Sequence, residues 1–233
     1  MSSLQGLAQA GPKYLKDVRN DLRKTWPNNR TINLVFHGHS VPSGYFTTPE
    51  VRKFESYPHL TLVKIKEEYK NAVVNSITTS IGGEHAEEGA KRFAEEVITM
   101  RPDVLFIDYA LNDRGIGLER ARVAWQQMID MALAHKFTDH NGNEHRVKII
   151  LLTPTPDTTE DILSDESPLA LYSEQIRELA KQNDVGLIDS YALFKEIAKK
   201  ESLSSYNAQS NQVNKKGHQV VATEIAKLFT QVE

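Results

Sequence analysis

Five short, almost uninterrupted apolar runs constrain this chain more than any other feature of its sequence. Strands with one solvent-facing side alternate apolar and polar residues, whereas strands covered on both faces are apolar throughout. The runs therefore predict a parallel β-sheet buried between two layers of helices. They cover residues 32–36, 72–77, 104–110, 147–153 and 185–189.

Helical periodicity fills the gaps between these runs, over 84–100, 116–136, 168–183 and 215–230. The β-α-β-α order predicts an α/β fold, a three-layer α/β/α sandwich whose central parallel sheet has about five strands. We expect one domain over residues 1–233, with a helical N-terminal segment, 1–30, before a core of 31–230. That segment either covers a sheet edge or contacts a second copy of the chain.

Composition excludes several classes of protein. The 233 residues include no cysteine, which excludes disulfides, thiol nucleophiles and cysteine-bound metals. The net charge is −3 and no stretch is strongly basic, so nucleic acid is not a favoured partner. No run reaches the length of a membrane span, and the first residues lack the apolar core of a signal peptide. We expect a cytoplasmic protein that binds neither nucleic acid nor membranes, and, because its histidines are scattered, no metal.

Polar residues follow the first three apolar runs. In a parallel α/β sheet, ligands bind beyond the carboxyl ends of the strands. Acyl transfer by a serine needs an accessible hydroxyl and hydrogen-bond donors for the developing oxyanion. Ser40 offers the hydroxyl, and the backbone N–H groups of Ser40 and Gly83 and the side-chain amide of Asn112 offer donors. We predict that these three residues meet in one cleft.

This set of loops resembles the GDSL, or SGNH, hydrolase superfamily, over about residues 32–229. The resemblance implies that Ser40 is the nucleophile and that Gly83 and Asn112 bind the oxyanion. It rests on the order, placement and spacing of four blocks together. The family's Gly-Asp-Ser reads Gly38-His39-Ser40, its Asn-to-glycine block resembles 75–83 with Gly89 further on, its Gly-x-Asn-Asp reads Ala110-Leu111-Asn112-Asp113, and its Asp-x-x-His-Pro-Asn-x-x-Gly-His resembles "QSNQVNKKGH" at 209–218.

The last block departs from the family pattern. With Asn214, Gly217 and His218 aligned, the family's catalytic histidine falls on Gln212 and its supporting aspartate falls on Gln209. An amide cannot take a proton from a serine near neutral pH. The resemblance therefore predicts a nucleophile and its oxyanion donors without the usual base.

Other histidines offer weak substitutes. His39 adjoins Ser40, and the side chains of neighbours on a strand-end loop usually point apart. His37 lies two residues before His39, and His85 follows the glycine loop. We expect His37, His39, His85 and Gln209 to line the substrate site, with His85 and His218 as the reserve candidates for the base.

The resemblance implies hydrolysis of carboxylic esters with acetyl or short acyl groups, including esters of carbohydrates. The partner would be a small-molecule ester or an acetylated sugar, with no cofactor, and a homo-oligomer stays open. A second hypothesis is a degenerate member that binds an acylated or sugar ligand without turning it over. A third is a flavodoxin-like phosphate or nucleotide binder that uses Gly82-Gly83, although the chain lacks the glycine-rich signatures of such sites.

Overall fold

The computed structural model describes residues 13–230. Its strands are β1 (Thr31–Gly38), β2 (Val73–Thr78), β3 (Val104–Asp108), β4 (Lys136–Thr138), β5 (Glu144–Arg146), β6 (Lys148–Leu152), β7 (Gly186–Ile188), β8 (Asn207–Gln209) and β9 (Gln212–Val213). Its α-helices are α1 (Lys16–Arg23), α2 (Ser40–Ser43), α3 (Tyr57–Glu68), α4 (Ala86–Glu96), α5 (Ala110–Asp113), α6 (Leu118–Ala134), α7 (Pro168–Gln182), α8 (Ser190–Ala198) and α9 (Lys215–Thr230).

The central sheet contains five parallel strands in the order β2-β1-β3-β6-β7. Each of the five apolar runs forms one of these strands. The predicted α/β/α sandwich with about five parallel strands is therefore confirmed. The two small antiparallel pairs, β4–β5 and β8–β9, lie outside this sheet.

Alternate residues along β1 enter two separate cores. Leu34 and Phe36 pack into the layer that contains α1, α3, α8 and α9. Val35 packs into the layer that contains α4, α6 and α7. Because both faces are covered, the strand needs apolar residues at consecutive positions, which is the pattern seen in the sequence.

The N-terminal segment packs onto the sheet through Leu15, Val18 and Leu22. The Tyr14 hydroxyl donates to the carbonyl of Ile149 and accepts from its N–H, both at 3.0 Å. Ile149 pairs with β3 but precedes the first residue of β6 that pairs with β7, Ile150. The segment thus covers part of the sheet; a contact with a second copy stays a prediction, and residues 1–12 lie outside the described part of the chain.

Candidate active site

Gly38 ends β1 and pairs with Asp108 of β3. A Cβ placed on Gly38 would lie 2.3 Å from the carbonyl oxygen of Asp108, so no other residue fits without moving the backbone. The chain then turns into α2, which begins at Ser40 and ends at Gly44 with a left-handed φ of 94°. This close approach of β1 to β3 fixes the position of the residues that follow.

Replacing Gly38 with alanine is expected to lower the free energy of unfolding by about 1–3 kcal/mol, the usual cost of overpacking, because β1 and β3 must separate. Urea unfolding measures the effect. Gly115 is the matched control, since a Cβ there would lie 3.4 Å from its nearest neighbour, the Asn112 carbonyl oxygen. Equal stability losses in the two alanine variants would contradict the packing argument.

Ser40 and Gln212 meet although they lie far apart in sequence. The Gln212 side-chain N–H donates to Ser40 Oγ at 2.8 Å. Gln212 begins β9, so the last sequence block brings its side chain to the end of β1, where the motif alignment places the family's histidine. Ser40 is only 7% exposed, which is less open than the accessible hydroxyl that the sequence led us to expect.

Gln209 lies opposite Gln212 in the β8–β9 pair, but its side chain contacts Thr48. Its Oε1 accepts from the Thr48 N–H at 3.0 Å, and its Nε2 donates to Thr48 Oγ1 at 3.4 Å. Gln209 therefore holds the loop that follows α2 against the β8–β9 pair.

The glycine loop and α5 are joined to the end of β1. The N–H of Ile81 donates to the carbonyl of Gly38 at 3.1 Å, and the Asn112 amide donates to the carbonyl of Glu84 at 2.9 Å. Gly83 lies between them with a φ of 84°, a left-handed conformation that favours glycine. These bonds place the three predicted loops side by side.

Asp113 links α5, which carries Asn112, to two neighbouring helices. Its carboxylate accepts from the Ala86 N–H at 2.8 Å and from the Trp125 indole N–H at 2.7 Å, which ties α5 to α4 and α6. Burial raises the pKa of Asp113 to about 6, although the hydrogen bonds from Trp125 and Ala86 act in the opposite direction. Asp113 therefore supports the loop that carries Asn112.

The expectation that His37 lines the substrate site is corrected by its surroundings. The ring is fully buried, with Nδ1 2.9 Å from Thr79 Oγ1 and Nε2 3.2 Å from the carbonyl of Gly89. The Tyr109 hydroxyl also lies 3.1 Å from Nε2. Burial, and then the positive charge of Arg92, lowers the pKa of His37 to about 3. His37 is a packed residue of the layer that contains α4.

His218 is likewise structural. Its Nδ1 accepts from the N–H of Tyr57 at 3.2 Å, and burial, with a smaller effect of Lys53, lowers its pKa to about 3. His85 immediately precedes α4, where its Nε2 lies 3.7 Å from the Glu88 carboxylate. Neither of the reserve bases is held against Ser40 by these contacts.

His39 instead points back toward the serine, contrary to the expectation for adjacent side chains. Its Nδ1 lies 3.4 Å from Ser40 Oγ. Its Nε2 lies 3.4 Å from Oδ1 of Asp108, whose Oδ2 accepts from the Tyr57 hydroxyl at 2.9 Å. Sequence reasoning missed Asp108; the available signal was a single carboxylate inside the apolar run 104–110.

Comparison with known proteins identifies the family of this chain. The GDSL-like lipase/acylhydrolase family matches residues 36–220 of the sequence. The chain belongs to that family. The match spans the end of β1, where Ser40 lies, and the block that carries Gln212, so the resemblance based on the strand-end motifs is confirmed at the level of the family. No curated protein matches the sequence.

Solved structures share the fold of this family member. A two-domain esterase (CEX) active on acetylated mannans is 15% identical, with a TM-score of 0.74 over 97% of this chain and 56% of that chain. This chain thus spans little more than half the length of that esterase. Axe2, an acetylxylan esterase from Geobacillus stearothermophilus, is 16% identical, with a TM-score of 0.71 over 86% of this chain and 95% of that chain.

Two features are absent from residues 13–230. In that part of the chain no three His, Asp or Glu side chains lie together in a group that could hold a metal ion. No helix there combines the length and apolar character needed to cross a bilayer.

Proposed function

We propose that this protein hydrolyses carboxylic esters with acetyl or other short acyl groups, using Ser40 as the nucleophile. The observation that carries the proposal is the 2.8 Å hydrogen bond from Gln212 to Ser40 Oγ. It joins the first and last blocks of the family around one hydroxyl. Membership of the GDSL-like lipase/acylhydrolase family supports the reaction class.

The neighbouring loops would bind the oxyanion that forms when Ser40 attacks. The donors are the main-chain N–H groups of Ser40 and Gly83 and one N–H of Asn112. A primary amide carries two N–H donors, so Asn112 keeps one after binding the Glu84 carbonyl. Donors fixed in advance stabilise charge that develops only in the transition state.

Acetylated carbohydrates are the substrate class that we favour. The structural neighbours named above act on acetylated mannans and acetylxylan. Because Ser40 is only 7% exposed, a small acyl group reaches its hydroxyl more easily than a long one. A small-molecule ester or an acetylated sugar would therefore be the partner.

Binding without turnover is the second candidate function, and the chemistry of Gln212 favours it. An amide donates a hydrogen bond to Ser40 but accepts no proton near neutral pH. Loss of the base in a serine triad leaves a rate only about 10³–10⁴ above that in water. A ligand would then be held by the oxyanion donors and released unchanged.

Acetate release from acetylated xylo-oligosaccharides and p-nitrophenol release from p-nitrophenyl acetate separate the two functions. We expect turnover that disappears in Ser40→Ala and persists in Ser210→Ala, a control at an exposed serine between β8 and β9. Saturable binding of the oligosaccharide by calorimetry, without acetate release, would replace hydrolysis by the second function. Turnover that survives Ser40→Ala would reject the nucleophile.

Asn112→Ala is expected to lower kcat about 10²–10³-fold, the usual cost of removing one oxyanion donor. It should also cost about 1 kcal/mol of stability, since the bond to the Glu84 carbonyl is lost. Steady-state kinetics and thermal melting measure the two effects separately. Asn75→Ala is the control, because that amide donates to Asn33 Oδ1 on the sheet. An unchanged kcat in folded Asn112→Ala would remove Asn112 from the mechanism.

A further inference from the structure

His39 lies between a carboxylate and the serine hydroxyl. It is 1% exposed, with Nε2 at 3.4 Å from Asp108 Oδ1 and Nδ1 at 3.4 Å from Ser40 Oγ. Asp108 Oδ1 is buried and has no hydrogen-bond partner. His39 Nε2, 3.4 Å away, is the nearby group that can donate to it. A histidine with one nitrogen near a carboxylate and the other near a serine has the arrangement of a catalytic base.

The contacts of the ring favour one tautomer. The N–H of Val41 donates to His39 Nδ1 at 3.3 Å, so Nδ1 carries a lone pair. The proton of the neutral ring then lies on Nε2, facing the Asp108 carboxylate. A lone pair on Nδ1, 3.4 Å from Ser40 Oγ, is what a general base requires.

Gln212 leaves the hydroxyl proton of Ser40 free for His39 to accept. The Gln212 amide donates to Ser40 Oγ, so this contact uses a lone pair of the hydroxyl and leaves its proton free to point elsewhere. His39 Nδ1 lies within reach of that proton. The glutamine would therefore orient the hydroxyl toward the ring.

We propose that His39 is the general base for Ser40 and that Asp108 is its positioning residue. This inference rests on the proposed ester hydrolysis. It assigns the task of the missing histidine at position 212 to the residue immediately before the nucleophile, with the roles of the two ring nitrogens exchanged relative to an ordinary serine triad.

The proposed reaction transfers the acyl group first to Ser40 and then to water. Ser40 Oγ forms a bond to the acyl carbon, its proton passes to His39 Nδ1, and the carbonyl π electrons move onto the oxyanion. The hydrogen bond from the Val41 N–H to Nδ1 must break as the proton arrives. Collapse of the oxyanion breaks the bond to the alcohol, which leaves with the proton from Nδ1. Water then repeats the sequence on the acyl-enzyme, and the products are the free acid and Ser40.

Two carboxyl groups and one hydroxyl on neighbouring elements determine the electrostatic surroundings of the His39 ring. Asp108 on β3 faces Nε2 and would stabilise the imidazolium, and Asp113 on α5 interacts electrostatically with His39. Tyr57 on α3 donates to Asp108. Burial, and then the negative charge of Asp108, raises the pKa of the Tyr57 hydroxyl well above its ordinary value, so it remains a donor.

His39→Asn tests the proposal while keeping the structural contact. The Asn Oδ1 can accept from the Val41 N–H as Nδ1 does, but it takes no proton at neutral pH. We expect kcat for p-nitrophenyl acetate to fall about 10²–10⁴-fold, with KM changed little. His140→Asn, at an exposed histidine, is the matched control and should retain the native rate.

The pH profile of kcat/KM provides a readout that a structural role of His39 would not move. In the native protein we expect kcat/KM to rise with pH to a plateau, because a general base acts only in its unprotonated form. In His39→Asn the rate should rise in proportion to hydroxide. Asp108→Asn should also lower kcat, because an amide facing Nε2 favours the wrong tautomer.

Kinetics of the Ser40 and His39 variants separate the role of His39 from ester hydrolysis itself. Turnover that depends on Ser40 but keeps its rate and plateau in His39→Asn would overturn the role of His39 alone. A native profile without a plateau would do the same, and it needs no variant to fold. Turnover that is absent, or that survives Ser40→Ala, would overturn the proposed function and this inference together.

Discussion

Gln212→His is expected to restore about 10²-fold in kcat to the slow His39→Asn variant, because it places a base beside Ser40. Glutamine Nε2 and histidine Nε2 are separated from Cα by the same number of bonds, and Gln212 Nε2 already lies 2.8 Å from Ser40 Oγ. In the native background the gain should be smaller, since His39 already serves. The measurement is hydrolysis of p-nitrophenyl acetate.

Gln209→His is the matched control for this rescue. It makes the same change three residues earlier, at a side chain that contacts Thr48. It should leave the slow variant slow. The rescue should also vanish when Ser40→Ala is added. A folded Gln212→His protein without any gain would mean that residue 212 does not reach the serine as described.

Acid is expected to destabilise the protein steeply below about pH 6.5 because of His37 and His218. Each has a folded pKa of about 3 against an ordinary value of 6.5. Between these values the unfolded chain binds protons that the folded chain does not, so the free energy of unfolding falls as the pH falls. The loss is about 1.4 kcal/mol per pH unit for each histidine.

Asp113 acts in the opposite direction over part of this range. Its folded pKa of about 6 lies above the ordinary 3.8, so the folded state binds its proton more tightly and gains stability as the pH falls between those values. With two histidines against one carboxyl, the net effect between about pH 6 and pH 4 remains destabilising. Above about pH 6.5 these three groups no longer contribute a pH dependence to the free energy of unfolding.

His218→Asn tests this expectation by urea unfolding at about pH 7 and about pH 5. The Asn Oδ1 can still accept from the Tyr57 N–H, but it does not titrate. We expect the pH dependence to lessen by about 1.4 kcal/mol per unit relative to the native protein. His140→Asn should leave the slope unchanged. Equal slopes in His218→Asn and the native protein would contradict the role of the buried ring.

The sheet could be predicted from the sequence because strands buried on both faces carry apolar residues at consecutive positions. Each apolar run lies on a strand of the observed sheet, and the predicted last helix, 215–230, matches α9. The helix α3 was missed because its buried residues include Thr61 beside Tyr57 and Ile65, which weakens the apolar stripe. The third run was predicted two residues too long, because Tyr109 continues its apolar character past Asp108.

Only the site residues that belong to the family motifs could be predicted from the sequence. The motif spacing located Ser40 and Gln212, which meet in the structure. It did not anticipate that His39 turns back toward Ser40, because β1 ends at Gly38 and strand alternation no longer applies beyond it. The partner of His39, Asp108, comes from a neighbouring strand, and only the β1–β3 register places Gly38 beside it.

Covalent trapping shows directly whether Ser40 is the nucleophile. p-Nitrophenyl diethyl phosphate transfers its phosphoryl group to an activated serine and releases p-nitrophenol. We predict one diethylphosphoryl group per chain by intact mass, located on Ser40 by peptide mapping, with esterase activity lost in proportion. An esterase that stays active with Ser40 unmodified, or that is inactivated through another residue, would contradict the assignment of Ser40 as the nucleophile.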